Sequence, residues 1–200
     1  MKKVFATLLV GMLAVFSFAA FEVTVGYVNT SLAATDVDTV EDVTMHGISA
    51  GANYLFDGLG VEGGALLVGG SFDYYFPTEF ATNAAVTASA TATEEVAQMM
   101  VGVNAGYRQS LNAFFPDLPF GMYVQGLFNY SFGLGDDKVL ANSLGFGGGA
   151  GANFVVQNLD MNVGADVLFE KPTVAEDYDE VYKSEFQLRP KIKVYAGVQF

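Results

Sequence analysis

The sequence predicts an all-β chain, an eight-stranded antiparallel up-and-down β-barrel that crosses a membrane with its strands. Three observations predict it. Apolar and polar residues alternate with a period of two over eight separate segments. The connections between those segments alternate between mostly long and acidic and mostly short. Aromatic residues gather toward the segment ends, as they do where a barrel wall passes the two membrane surfaces.

The segments are taken in chain order. The first, "FEVTVGYVNT" at 21–30, sets Phe21, Val23, Val25 and Tyr27 against Glu22, Thr24 and Gly26. The second, 43–56, offers Ile48, Ala50, Ala52, Tyr54 and Phe56 against Gly47, Ser49, Gly51 and Asn53. The third, 61–76, opposes Leu66, Val68, Phe72, Tyr74 and Phe76 to Ala65, Gly69, Ser71, Asp73 and Tyr75; Leu67 departs from the alternation, and the glycines beside it would permit a bulge. The fourth and fifth, 96–108 and 120–132, alternate most cleanly. They place Gln98, Gly102, Asn104 and Arg108, then Tyr123, Gln125, Asn129 and Ser131, on the polar face. The sixth, 144–155, has glycine at 145, 147, 149 and 151 with Asn153, and the seventh, 161–170, has Asn162, Gly164, Asp166 and Glu170. The eighth, "QLRPKIKVYAGVQF" at 187–200, is apolar at every even position from Leu188 to Phe200 and carries Arg189, Lys191 and Lys193 on the odd ones.

The connections after strands one, three, five and seven are 31–42, 77–95, 133–143 and 171–186; those after two, four and six are 57–60, 109–119 and 156–160. Alternation alone would also suit a half-buried soluble sheet. The polar face here, however, is rich in Gly, Asn, Gln, Ser and opposite charges, and each segment is long enough for the ~9 to 11 residues of a tilted spanning strand. An open edge in hydrocarbon would leave a row of unpaired backbone groups, so strand one must pair with strand eight.

Composition narrows the function classes. The chain is 52% hydrophobic and 14% aromatic, which excludes disorder, and it has no cysteine, which excludes a disulfide framework, a cysteine metal site and a thiol nucleophile. Lys2 and Lys3, the apolar run from Val4 and the small residues Ser17, Ala19 and Ala20 have the three-part layout of a secretory signal peptide over 1–20, leaving 21–200 as the barrel domain. Removing those two lysines takes the formal charge from −13 to −15, so a nucleic-acid partner is disfavoured.

With the signal peptide, the strand count, the loop alternation and the terminal "VYAGVQF" in place, the chain resembles the small eight-stranded outer-membrane barrels of the OmpA/OmpX type. The resemblance implies the bacterial outer membrane, both termini periplasmic, lipid on the outer face and no cofactor. Val194, Ala196, Val198 and Phe200 look like the C-terminal signal that the barrel assembly machinery reads in that family. It also implies a non-catalytic role in envelope structure or surface interaction, with a small channel or ligand-binding barrel for polar solutes, and then a lipid A acyl-modifying enzyme, as alternatives.

A lumen this narrow must pair its charges. Parity places Glu22, Asp73, Arg108, Asp166, Glu170, Arg189, Lys191 and Lys193 inside, as an ion-pair network; counting across the last hairpin sets Asp166 opposite Lys191 and Glu170 opposite Gln187. The inward glycines at 47, 51, 145, 147, 149 and 151 either free a cavity or make room for Tyr75, Tyr123 and Tyr195. His46 is the one histidine. Ile48 stands where a deacylase-like pattern needs serine, and no Asp-Ser dipeptide serves a palmitoyltransferase-like pair, so His46 reads as a polar residue near the outer rim. The four long loops hold fourteen carboxylates, among them "TDVDTVED" at 35–42 and "EDYDEVY" at 176–182, against three lysines; such loops are solvated or meet divalent cations bridging to lipid headgroups. The Ala/Thr-rich "TNAAVTASATATEE" at 82–95 carries no recognisable site.

Overall fold

A computed structural model describes residues 19–35, 40–57, 61–83, 92–118, 120–187 and 189–200. The signal peptide expected at 1–20 lies, but for its last two residues, outside them, as do 36–39 of the first acidic loop and 84–91 of the Ala/Thr-rich stretch.

Eight antiparallel strands follow one another around a closed barrel: β1 (Ala19–Leu32), β2 (Val43–Asp57), β3 (Gly64–Ala81), β4 (Thr93–Ser110), β5 (Gly121–Leu134), β6 (Leu140–Val156), β7 (Leu159–Val174) and β8 (Lys191–Gln199). Each strand pairs with its chain neighbours, and β1 closes on β8 from Glu22↔Gln199 to Asn29↔Ile192. Phe21 and Phe200 then exchange both backbone hydrogen bonds, at 3.1 and 2.8 Å, so the seam is paired to the last residue. No sheet edge faces the bilayer along this stretch.

The period-two pattern sets which face each residue takes. Val25, Ile48, Val68, Val103, Phe128, Phe146 and Val194 are exposed on the outer wall, while Glu22, Ser49, Asp73, Gln125 and Asn162 are buried inside. Outward aromatics pack in pairs, across neighbouring strands as Phe21 with Tyr54 at 5.0 Å and along one strand as Tyr130 with Phe132 at 4.7 Å.

Three expectations about strand limits change. The last strand begins at Lys191 rather than residue 187, because Pro190 has no backbone N–H to give to β1. Leu67 sits inside an unbroken ladder from Ala65 to Tyr75, with no bulge beside it; the irregularity falls between Tyr75 and Thr78, where Pro77 again removes a donor. Segments expected as loop are strand at the end far from the termini: β3 runs on to Ala81, β4 starts at Thr93 and β7 reaches Val174.

At the terminal end, β6 and β7 are joined by Gln157 and Asn158 alone, both left-handed at φ 50° and 69°, the geometry of a type I′ hairpin turn. The β4–β5 connection is longer and contains a short 3-10 turn, Leu111–Ala113.

Candidate functional site

Side chains at inward positions of eight strands converge on one narrow space, so groups far apart in sequence meet there. Nearest the terminal end, Arg108 of β4 reaches across the lumen to Glu22 of β1. Its Nη1 donates to Oε2 at 2.7 Å and its Nη2 to Oε1 at 3.1 Å, a two-pronged pairing that suits the planar guanidinium. Asn162 and Asn53 also donate to Glu22, at 2.7 and 3.3 Å. Arg108 Nε donates to Gln125 Oε1 at 2.9 Å, and Gln125 Nε2 in turn donates to Asp166 Oδ1 at 2.7 Å and to the Tyr195 hydroxyl at 3.1 Å. The guanidinium lies 4.1 Å from the centre of the Tyr123 ring, whose hydroxyl hydrogen-bonds that of Tyr195 at 3.0 Å.

Farther along the axis stands a second cluster. Lys191 of β8 donates to Asp73 Oδ2 of β3 at 2.8 Å and lies 3.4 Å from Glu170 Oε1 of β7. Ser49 donates to Asp73 Oδ1 at 2.5 Å, and Thr30 to Glu170 Oε2 at 3.1 Å. Lys193 approaches Asp73 less closely, at 3.9 Å.

Seven of the eight charged residues assigned to the lumen are thus inside, and Arg189 is not. It precedes the strand, stays exposed and pairs with Asp42 at 3.3 Å near the far rim, because Pro190 holds the chain off the ladder there. The hairpin register also differs from the count: Asp166 stands opposite Lys193, and Lys191 opposite Leu168. Gln187 does lie beside Glu170, through a 2.8 Å backbone hydrogen bond made before the strand begins. Among the described residues the enclosed charges are four carboxylates, Glu22, Asp73, Asp166 and Glu170, against three cations, Arg108, Lys191 and Lys193.

The inward glycines are where bulky lumen groups press on the wall. A Cβ at Gly47 would sit 2.8 Å from Tyr75 Cα, one at Gly151 would meet the Tyr123 hydroxyl, one at Gly164 would lie 2.6 Å from the Tyr195 hydroxyl, and one at Gly149 would strike Asp166. The space they free is filled. Between the two clusters stays a cavity of about 40 Å³, lined by Asn53, Asp73, Asn104, Asn129, Asp166 and Lys193 among others, room for one or two waters. Asn53 Oδ1 and Asn129 Oδ1, both on its wall, have no partner in the protein.

Beyond the second cluster the inward residues turn apolar. Val28, Leu32, Met45, Tyr75, Phe80, Val96, Met100, Leu140 and Val174 form one buried cluster, and Tyr178, Val181 and Tyr182 of the last long loop close over it. That loop is pinned to the β1–β2 and β3–β4 connections and to the strand ends beside them. Thr35 N donates to Val181 O at 2.7 Å, Ala81 N to the Tyr182 hydroxyl at 3.0 Å, Tyr178 to Glu94 Oε2 at 3.1 Å, and Asn83 Nδ2 to Glu176 O at 2.8 Å. Burial, and then the Glu94 carboxylate, push the Tyr178 phenol above its ordinary pKa; burial does the same to Tyr182. Sequence reasoning placed "EDYDEVY" among solvated loops and missed this cap. Its signal was the spacing of Tyr178, Val181 and Tyr182, apolar at i, i+3 and i+4 amid the acids.

The remaining candidates lie on the outer surface. His46 points outward, its ring stacked against Tyr27 at 6.0 Å and its Nδ1 hydrogen-bonded to the Tyr27 hydroxyl. Val194, Ala196, Val198 and Phe200 share the outward face of β8 and its end, with Phe200 72% exposed. Among the described residues no group of three or more His, Cys, Asp or Glu is arranged to hold a metal ion.

Comparison with known proteins gives similar solved structures and a matching family model. The crystal structure of Neisserial surface protein A (NspA) is similar at 13% sequence identity and a TM-score of 0.49, over 90% of this chain and 94% of that one. The backbone structure of the Yersinia pestis outer membrane protein Ail in a phospholipid bilayer nanodisc is similar at 16% identity and a TM-score of 0.41, over 91% and 99%. No curated protein sequence matches. The family model described as outer membrane protein beta-barrel domain matches residues 5–198, nearly the whole chain, and this places the barrel in the bacterial outer membrane. With its closed ring of eight strands, apolar without and polar within, the chain belongs to the outer membrane protein beta-barrel domain family.

Proposed function

We propose that this barrel is non-catalytic, that its wall serves the structure of the outer membrane, and that its long loops present an interaction surface outside the cell. Both termini and the shorter connections are then periplasmic. The filled lumen carries this reading. Two charged clusters, an apolar plug and a pinned loop occupy the axis in turn, and the cavity of about 40 Å³ between the clusters is too small for a hydrated solute. The cap also fixes Glu176, Asp177, Asp179 and Glu180 at the far rim, all exposed, as a surface of set shape rather than a loose chain.

Lipid covers the outward face. Val194, Ala196, Val198 and Phe200, on the outward face of β8 and its end, form the signal that the barrel assembly machinery reads. Divalent cations gather at the acidic loops by diffuse charge and bridge them to lipid phosphates. His46, with a tyrosine beside it and Ile48 two residues on, serves the headgroup boundary, where amphipathic rings settle.

The cavity favours one second reading, a small channel that conducts once the cap is displaced. Single-channel recording in a planar bilayer separates the two: no steady conductance is expected, and steady conductance above background would replace the structural reading with the channel. The outer-membrane lipid A acylation pattern is expected to be the same in His46→Ala as in the parent; a changed pattern would return the enzyme.

A further inference from the structure

The connection between β4 and β5 spends ten residues, 111–120, where the β6–β7 turn needs two. It is not loose. Ser110 N donates to Gly63 O and Gln109 Nε2 to Glu62 O, both at 2.8 Å, which ties it to the neighbouring β2–β3 turn. Asn112 accepts from Met122 N at 2.9 Å and donates to Phe120 O at 3.3 Å, closing the loop on itself. Phe114 N and Phe115 N both donate to Leu111 O, at 3.0 and 2.9 Å, fixing the 3-10 turn.

On this braced support Phe114 and Phe115 are 56% and 61% exposed. Holding two adjacent phenylalanines in water forgoes the gain that covering each ring would bring. Among the described residues none covers them fully. Tyr107 on β4 and Met122 on β5 share the outward parity of Val103 and Val124, and Phe120 just before β5 is exposed, so the turn leaves the wall at the terminal end of its apolar outer face. Aromatic rings favour the boundary between headgroups and acyl chains, and apolar turns on the water side of a membrane lie down in it.

We propose that the β4–β5 turn is an interfacial foot, with Phe114 and Phe115 seated at the headgroup–acyl boundary of the phospholipid leaflet at the terminal end of the barrel. The foot lies beside the wall rather than beneath it. It fixes the depth and tilt at which the barrel sits, and its exposed Asp117 stays toward water.

The chain has no tryptophan, so Phe114→Trp and Phe115→Trp each supply a single fluorophore at the site. Each variant is refolded into phosphatidylcholine vesicles whose acyl chains carry bromine either near the carbonyl or near the chain middle. Phe128→Trp on the mid-barrel outer face is the positive control. Both turn variants are expected to lose most of their emission to lipid brominated near the carbonyl and less to the deeper bromines, with the order reversed for the control. Emission unchanged by either lipid but strongly quenched by aqueous acrylamide would overturn the proposal and leave the two rings to a periplasmic protein. A heat-dependent shift in electrophoretic mobility confirms that each variant has folded, whatever the quenching shows.

Discussion

Arg108 and Glu22 lie 86 positions apart in sequence, on strands that are not neighbours, and form a two-pronged ion pair across the lumen with both side chains almost wholly buried. Removing one partner strands the other charge in a low-dielectric interior. Glu22→Gln or Arg108→Met alone is expected to lower the free energy of unfolding in vesicles by about 3–5 kcal/mol, whereas the double variant recovers much of the loss, because a matched neutral pair carries no desolvation penalty. Urea titrations of the three proteins measure this. Additive losses in the double variant would mean that the two charges are solvated independently.

The second cluster predicts an inequality. Lys191 touches Asp73 at 2.8 Å and Glu170 at 3.4 Å, but Lys193 comes only to 3.9 Å from Asp73. Lys191→Met leaves two carboxylates under-compensated and should destabilise the barrel clearly more than Lys193→Met in the same urea assay. Equal losses would show that the lumen averages its charges rather than pairing them.

Two glycines on opposite faces should respond in opposite directions to alanine. At Gly47 a new Cβ would meet the backbone of Tyr74 and Tyr75, which cannot step aside, and a cost of about 1–3 kcal/mol is expected. At Gly126, on the lipid face, nothing lies within 4 Å, and alanine should be neutral or stabilise by ~0.4–1 kcal/mol by restricting the unfolded chain. Thermal or urea unfolding in the same lipid compares the pair.

The cap over the mouth far from the termini should open in alkali. The phenols of Tyr178 and Tyr182 have raised pKa values in the capped state, so their contribution is complete below the ordinary value of 10.0 and falls as pH climbs past it, since the released loop loses those protons first. Cleavage of the 171–186 loop by an alkali-stable protease should therefore quicken above about pH 10, in the range where a free phenol ionises. Replacing both tyrosines by phenylalanine should abolish the pH dependence. Tyr182→Phe also removes the acceptor for the buried Ala81 N–H and should loosen the loop at neutral pH.

Strand number, facing and closure were legible because the bilayer demands a strict period and forbids an edge, and both demands are written residue by residue in segments such as 96–108 and 120–132. Partners inside the lumen were not. Parity says that Arg108 points inward, but which strand it reaches depends on shear and on what fills the space between, so Glu22 could be placed on the right face without being identified as its partner. The limits of β8 were misjudged because Pro190 falls on the apolar face, where it keeps the alternation while breaking the ladder. The plug went unseen for the opposite reason. Val28, Met45, Met100 and Val174 are apolar on the inward face, so the alternation fades at the end of the barrel far from the termini, where the apolar plug fills the lumen.

The chain has no cysteine, so one introduced thiol carries one spin label to a chosen position, and a scan along β4 tests the central claim directly. Labels at Met99, Val101, Val103 and Ala105 should collide freely with oxygen dissolved in lipid and scarcely with a water-soluble nickel chelate. Labels at Met100, Gly102 and Asn104 should show little access to either, as the filled lumen requires. Loss of that alternation would contradict a lipid-facing wall, and strong nickel access at the inward positions would contradict a closed lumen.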